Sequence, residues 1–275
     1  TDLMTPDYRT GLLSVSPRAT QEIRRLIRSM ETPNVRIRKT SLLRLCNSGK
    51  DARAAIPAVR ELLFDPNETI RVLAAYSLWN IGHDASGMLT LTDVVVTGSP
   101  ENSCLAAYTL GEIGPSAGEA LPLLEHISAN GTGLMRLHAW EAVWRIKAGD
   151  DRALDAMLSF LKSGDVHERW LATYMLGNTG SKRLDMIHDL SKALDDSSTI
   201  VQTGAGFALG CIGPEAAMAT PRLITIFETS EFDNALRMTA FEALSEIEPL
   251  TAQKFQTSPT RRPERIQRTS RTTRE

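Results

Sequence analysis

The sequence predicts an all-α fold, a right-handed α-solenoid (superhelix) of about seven helical-hairpin repeats. A leucine or valine, the anchor, recurs about every 33 residues, at Leu45, Leu78, Leu110, Val143, Leu176, Leu209 and Leu244. A helix-capping residue type stands eleven positions before each anchor, and an alanine or serine stands four before it. A steady period of this length is typical of arrays in which each hairpin is stabilised by its neighbours.

The column at −11, counted from the anchor, predicts where the first helix of each hairpin begins. Side chains of this kind accept hydrogen bonds from the free amides of a first helical turn. The column consists of Asn34, Asn67, Ser99, Thr132, Asp165, Ser198 and Asp233.

Three columns, at −4, 0 and +3, predict the buried face of the first helix, because these positions share one side of a helix. Column −4 is almost entirely alanine, which lets neighbouring helices approach closely. Column +4 predicts the end of the helix, since glycine readily adopts the left-handed conformation of a C-cap. Its glycines are Gly49, Gly82, Gly114, Gly180 and Gly213, whereas Lys147 and Glu248 depart from the pattern and predict different corners.

A second helix follows in the first six copies, with an apolar stripe that starts at Ile56, Leu89, Leu121, Leu154, Ile187 and Thr220. Residues 17–30 resemble the second helix of a partial leading copy. The second-helix pattern fails after Ile247, and Pro, Thr, Ser and Arg dominate from about Thr251. We therefore predict a capping partial repeat at 1–33, a solenoid at 34–250 and a basic disordered tail at 251–275.

These columns resemble HEAT-like repeats of the phycobilisome-lyase type. The best matches are residues 71–78, 106–115 and 208–216, and the similarity spans about 34–247. The resemblance implies the fold, but proteins with such repeats include bilin lyases, scaffolds and many bacterial proteins of other kinds. It also implies that the basic residues in column −7 bridge neighbouring copies rather than bind a ligand. They are Arg38, Arg71, Arg136, Arg169 and Arg237.

Charge is distributed unevenly along the chain, although the net charge is only −2. Residues 1–50 carry a balance of +6, residues 51–253 of −13, and residues 254–275 of +5. This asymmetry predicts electrostatic docking of the tail, on the acidic repeats or on an acidic partner such as nucleic acid or a membrane surface; an untethered solubilising tail is the alternative. The candidate docking residues are Arg261, Arg262, Arg265, Arg268, Arg271 and Arg274.

The sequence offers no arrangement that predicts catalysis, and we expect no catalytic residue, metal or cofactor. The five histidines have no partner histidine three or four residues away, as helical metal ligands would. The cluster Asp185, His188 and Asp189 fits one turn of an acidic helix. The three cysteines are far apart in apolar patterns, which favours buried thiols over disulfides.

Two aromatic columns are candidates for binding. Column −2 points away from the buried face, and aromatic residues are common in interfaces. Packing against the adjacent copy is the alternative. The column contains Tyr76, Tyr108, Tyr174 and Phe207. Trp79 and Trp144 stand in column +1, where Gly111, Gly177 and Gly210 stand in other copies, so the indoles either fill a wider groove or reach the surface.

We therefore expect a non-catalytic scaffold that binds another protein along the solenoid surface, on a concave face built from second helices. The alternatives are an enzyme or enzyme subunit of bilin-lyase type and a protein that binds nucleic acid through its tail. No apolar run is long enough to span a membrane and no signal peptide is visible, which favours the cytoplasm. Residue 1 is Thr, so an N-terminal segment could be missing.

Overall fold

The computed structural model of the chain describes residues 17–230 and 234–257, and every regular element in those ranges is helical. A leading helix, α1, spans Pro17–Met30, as predicted. The first helices of the hairpins are α2 (Val35–Asn47), α4 (Glu68–Gly82), α6 (Pro100–Ile113), α8 (Gly133–Ile146), α10 (Val166–Gly177), α12 (Thr199–Ile212) and α14 (Asn234–Ile247). The second helices are α3 (Ile56–Glu61), α5 (Met88–Thr97), α7 (Leu121–Asn130), α9 (Asp151–Ser159), α11 (Leu184–Ala193), α13 (Thr220–Thr229) and α15 (Pro249–Thr257). The all-α helical-repeat class is thus confirmed.

The described residues form two compact units, which divide between Thr179 and Gly180. In both units the core consists of the predicted columns. Every anchor is fully buried, and every residue of column −4 is at most 3% exposed. Column +3 is buried wherever it is isoleucine, whereas Ser48 is exposed and Thr179 is half-buried. None of the helices in the described part of the chain is long and apolar enough to cross a membrane.

The helix starts follow column −11, but not every predicted cap makes its bond. The side chains of Asn34, Asn67, Ser99 and Asp165 accept backbone N–H groups of the first turn. Thr132 and Ser198 occupy the cap position without such a bond. Asp233 lies outside the described residues.

The corners after the first helices depend on left-handed or other positive-φ residues, mostly as predicted. Gly114 and Gly213 adopt φ of 65° and 79° after α6 and α12. The prediction is wrong at Gly82, because α4 continues through it and His83 adopts the left-handed conformation, at φ 54°. Where Lys147 replaces glycine, the positive φ moves on to Ala148, so this corner differs as expected.

Column −7 ties each first helix to the end of the preceding second helix. Arg38, Arg71, Arg136 and Arg169 donate hydrogen bonds to backbone carbonyl groups that precede their own helix. Arg237 instead lies over the ring of Phe227 in α13, 4.7 Å from its centroid. These contacts support a structural role for the column rather than a ladder of ligand-binding arginines.

Two sequence predictions about second helices are wrong. In α5 the buried residues are Leu91, Val94 and Val95, whereas Leu89 and Val96 are 83% and 64% exposed. Apolar residues occur on both sides of α5, so the sequence permits either stripe.

A second helix also follows Ile247, where the sequence predicted none. Ala252 of α15 is buried, and Phe255 packs on Phe227 with ring centroids 5.1 Å apart. Two apolar residues three positions apart are enough to dock α15, although they are too few to mark a helix in the sequence. The predicted tail therefore starts after Thr257 at the earliest, and its arginines lie outside the described residues.

Candidate functional site

The aromatic side chains of column −2 lie on the outward side of the first helices and differ in how far they are covered. Tyr174 is 47% exposed and Phe207 is 42% exposed, whereas Tyr76 and Tyr108 are half-buried. Tyr174 and Phe207 thus reach the surface, whereas Glu141, in the same column, is only 5% exposed. We call the outward surface formed by columns −2 and +2 the first-helix face.

Column +1 sets how closely successive first helices approach. Where it is glycine, at Gly111 and Gly210, α6 packs closely on α8 and α12 packs closely on α14. A Cβ atom added to Gly210 would lie 3.2 Å from the Cα of Ala243, so only glycine fits without adjustment. Where the column is tryptophan, the pairs α4–α6 and α8–α10 pack far less extensively. Trp79 and Trp144 are half-buried, which agrees with the interpretation that the indoles occupy wider grooves.

The close approach of α6 and α8 brings four side chains together, which we call the α6–α8 square: Tyr108 and Glu112 of α6, and Glu141 and Arg145 of α8. The Arg145 guanidinium lies over the Tyr108 ring, with Cζ 5.7 Å from its centroid. Arg145 Nη1 donates to Glu112 Oε1 at 2.5 Å, and Nε and Nη2 donate to Glu141 Oε1 at 3.1 and 2.9 Å. Arg145 therefore contacts one aromatic ring and forms hydrogen bonds with two carboxylates.

The side chains of the α6–α8 square shift one another's pKa values. Burial raises the pKa of the Glu141 carboxyl, and Arg145 offsets part of that rise. Burial and the negative charge of Glu112 raise the pKa of the Tyr108 phenol, so the phenol is neutral at physiological pH. Burial disfavours the charged form of Arg145, but Glu141 and Glu112 outweigh it and raise the guanidinium pKa. Arg145 therefore stays charged between its two carboxylates.

The same four columns meet in the second unit, between α12 and α14, but with different residues. Phe207 and Cys211 of α12 face Glu242 and Glu246 of α14, across a floor that includes Gly206, Gly210 and Ala243. They line an open groove of about 430 Å³, which we call the α12–α14 groove. Both glutamates are exposed, and within the described residues neither makes an ion pair or a hydrogen bond. The groove therefore presents uncompensated negative charge beside an aromatic ring.

The sequence analysis singled out Tyr108 and Phe207 but missed the glutamates and the arginine around them. A signal was present in the repeat itself. Glu112 and Arg145 both stand in column +2 and are 33 residues apart, so they face each other on successive first helices. Glu141 and Glu242 interrupt the aromatic column at −2, which puts a carboxylate opposite the preceding aromatic residue.

Chemically, the described residues offer contacts rather than an obvious reactive group. No group of three His, Cys, Asp or Glu side chains that could hold a metal ion occurs in residues 17–230 and 234–257. Burial raises the pKa of all three cysteine thiols, and Cys211, the exposed one, is further affected by Glu246. A raised thiol pKa lowers the thiolate fraction and so the nucleophilicity at neutral pH.

Comparison with known proteins places the fold. No protein-family model and no curated protein sequence matches the chain. Among solved structures, the complex of CpcE and CpcF of phycocyanin lyase from Nostoc sp. PCC7120 matches with a TM-score of 0.52 at 16% identity, over 82% of this chain and 94% of that chain. The chain has a HEAT-like helical-repeat fold. The resemblance inferred from the repeat columns is thus confirmed for the fold.

Two further structures match at lower similarity. Human deoxyhypusine hydroxylase has a TM-score of 0.40 at 23% identity, over 89% of this chain and 92% of that chain. A designed armadillo repeat protein in complex with the peptide (KR)4 has a TM-score of 0.45 at 16% identity, over 82% and 99%. At these values neither match bears on activity or partner.

Proposed function

We propose that the chain is a non-catalytic interaction scaffold that binds a partner protein through its first-helix face. The observation that supports this most directly is the exposure of the aromatic column, with Tyr174 at 47% and Phe207 at 42%. Large aromatic side chains provide contact area at low entropic cost and are enriched in protein interfaces. Within the first unit, the column is tyrosine in three repeats, at Tyr76, Tyr108 and Tyr174, which gives a partner more than one anchor.

The position of these side chains also changes where the partner is expected. The sequence analysis placed the contact surface on second helices. Exposed apolar residues also occur on or next to second helices, such as Leu89 and Val96 of α5 and Phe64 just after α3, but they do not recur in one column of the repeat. The aromatic column therefore makes the first-helix face the better candidate.

The test is a quantitative capture experiment with matched variants. The full chain is used as bait, and each captured protein is then measured against Tyr174→Ala, Phe207→Ala and the control Leu89→Ala. All three residues are exposed, so we expect melting temperatures near that of the wild type. A partner that is lost with the aromatic variants and retained with Leu89→Ala supports the proposal; loss with Leu89→Ala alone moves the surface to the second helices.

Two other outcomes would replace the proposal. A coloured covalent adduct, formed on co-expression with a bilin and an acceptor protein, would indicate an activity of bilin-lyase type, the alternative that the resemblance suggested. Salt-dependent binding of nucleic acid, lost when residues 258–275 are removed, would assign the binding to the basic tail.

A further inference from the structure

The α6–α8 square and the α12–α14 groove are built on the same backbone arrangement. An added Cβ would lie 3.1 Å from Ala142 Cα at Gly111 and 3.2 Å from Ala243 Cα at Gly210. In both, column −2 puts an aromatic ring on one helix and a glutamate on the next, Tyr108 with Glu141 and Phe207 with Glu242. The two places therefore differ mainly in column +2.

Because of the difference in column +2, the α12–α14 groove has no counterpart of Arg145. Where α8 has Arg145, α14 has Glu246, and where α6 has Glu112, α12 has Cys211. In the α6–α8 square the guanidinium covers the ring, and Glu141 is only 5% exposed. In the α12–α14 groove the corresponding Glu242 is exposed, and Glu246 adds a second unpaired carboxylate. Phe207 is 42% exposed and lines the groove together with the two carboxylates, and α14 has a glutamate at the position where α8 has Arg145.

We propose that the α12–α14 groove binds an arginine side chain from the chain's own C-terminal segment, residues 258–275. The guanidinium lies over the Phe207 ring and donates to Glu242 and Glu246, as Arg145 does with Tyr108, Glu141 and Glu112. Charge-assisted hydrogen bonds to carboxylates and stacking on an aromatic ring are the interactions that arginine makes best.

Charge and reach both favour this occupant. Residues 258–275 contain six arginines and two glutamates, so their balance is opposite to that of the groove. The segment follows α15 directly, and an extended chain of this length reaches about 60 Å. A tethered segment also has an effective concentration in the millimolar range, which favours it over a free peptide. Occupancy would cover Phe207, so the segment would compete with a partner at the second unit's part of the first-helix face.

The test measures the effective concentration of the C-terminal segment at the groove. Cys211 lines the groove, and the substitution Ser270→Cys places a second thiol in the segment. Cys46 and Cys104 are replaced by alanine so that only these two thiols remain. In a glutathione redox buffer, the equilibrium between the two thiols and their disulfide then gives the effective concentration of one for the other. We expect about a tenfold lower effective concentration with Glu242→Gln, and a similar loss in 1 M salt.

Two further variants make the result specific. Glu246→Arg supplies from α14 the arginine that Arg145 supplies in the α6–α8 square, so it should displace the segment about as strongly as Glu242→Gln. Glu228→Gln removes an exposed charge from α13, outside the residues that line the groove, and should leave the value unchanged. Equal effective concentrations in all these chains would overturn the proposal. Disulfide-linked dimers that form in proportion to protein concentration would also overturn it and assign the groove to a second copy's segment.

Discussion

Gly111 of α6 meets Ala142 of α8 so closely that an added Cβ would lie 3.1 Å from the Ala142 Cα. This contact sets the distance at which Arg145 can reach Glu112 and Tyr108. A larger side chain at Gly111 forces the two helices apart. We expect Gly111→Leu to lower the free energy of unfolding by about 3 kcal/mol, which urea denaturation would measure.

The control for that substitution is Gly118→Leu. Gly118 has negative φ and nothing within 4 Å of an added Cβ. Leucine has a better helix propensity than glycine, so a loss specific to Gly111→Leu comes from packing and not from the backbone. Equal stability of the two variants would show that α6 and α8 tolerate a wider spacing.

The buried ion pair between Arg38 and Asp65 should be strongly sensitive to loss of its charge. The side chains are 8% and 5% exposed, and Arg38 Nε lies 2.8 Å from Asp65 Oδ2. Asp65→Asn leaves the guanidinium buried without a counter-charge, so we expect a loss of about 3 kcal/mol in the free energy of unfolding.

Asp84→Asn is a closely matched control for Asp65→Asn. Asp84 also binds an arginine, Arg60, and a backbone amide two residues further on, but Arg60 is 55% exposed. We expect this variant to cost less than about 1 kcal/mol. If the two variants lost a similar amount of unfolding free energy, burial would not determine how much these ion pairs contribute to stability.

Acidification should destabilise the first unit through His138. Its Nδ1 is buried without a hydrogen-bond partner, 3.9 Å from Glu141 Oε2, and burial lowers the pKa of the imidazole from 6.5 to about 4. Between these values the unfolded chain binds a proton that the folded chain does not bind, so stability is complete above pH 6.5 and falls as the pH is lowered toward 4. The loss attributable to His138 is about 3 kcal/mol.

Glu141 contributes in the opposite direction, because its raised pKa stabilises the folded chain only at acidic pH and that contribution is lost as the pH rises. The measurement therefore compares variants: urea denaturation between pH 4.5 and 7.5 for the wild type, His138→Gln and the exposed control His188→Gln. His138→Gln should flatten the slope and His188→Gln should not. A wild-type slope in His138→Gln would contradict the assignment.

Phe255 should decide whether α15 stays docked. Its half-buried ring packs on Phe227, and the only buried side chain described in α15 is that of Ala252. We expect Phe255→Ala to cost about 2 kcal/mol locally and to accelerate hydrogen exchange in α15 amides. Leu250→Ala, which removes a 76% exposed side chain from the same helix, should leave the exchange rates unchanged.

The sequence predicted those parts of the fold that each repeat determines for itself. The anchor column of Leu110 and the small-residue column of Ala106 recur in every copy, so comparison of the copies identifies the buried face. Helix α15 was missed because its docking depends on Phe227, which belongs to the preceding second helix. The register of α5 was wrong because apolar residues stand on both sides of this helix, so their spacing does not show which side is buried.

The candidate site was only partly predictable for a related reason. Column −2 could be placed on the outward side of the first helices by periodicity alone. Whether Tyr108 contacts Arg145 depends on the distance between α6 and α8, and that distance is set by Gly111 against Ala142. That distance can be inferred only when residues of two successive copies are compared, here Gly111 and Ala142.

The unequal spacing of first helices also bears on how the first unit unfolds. In a repeat array, cooperativity depends on the coupling free energy between neighbouring copies, and a weakly coupled junction is where one folding block ends and the next begins. The junctions at Trp79 and Trp144 flank the tightly joined α6–α8 pair. We therefore expect α6 and α8 to unfold last in the first unit. The helices on either side of this pair should unfold before it.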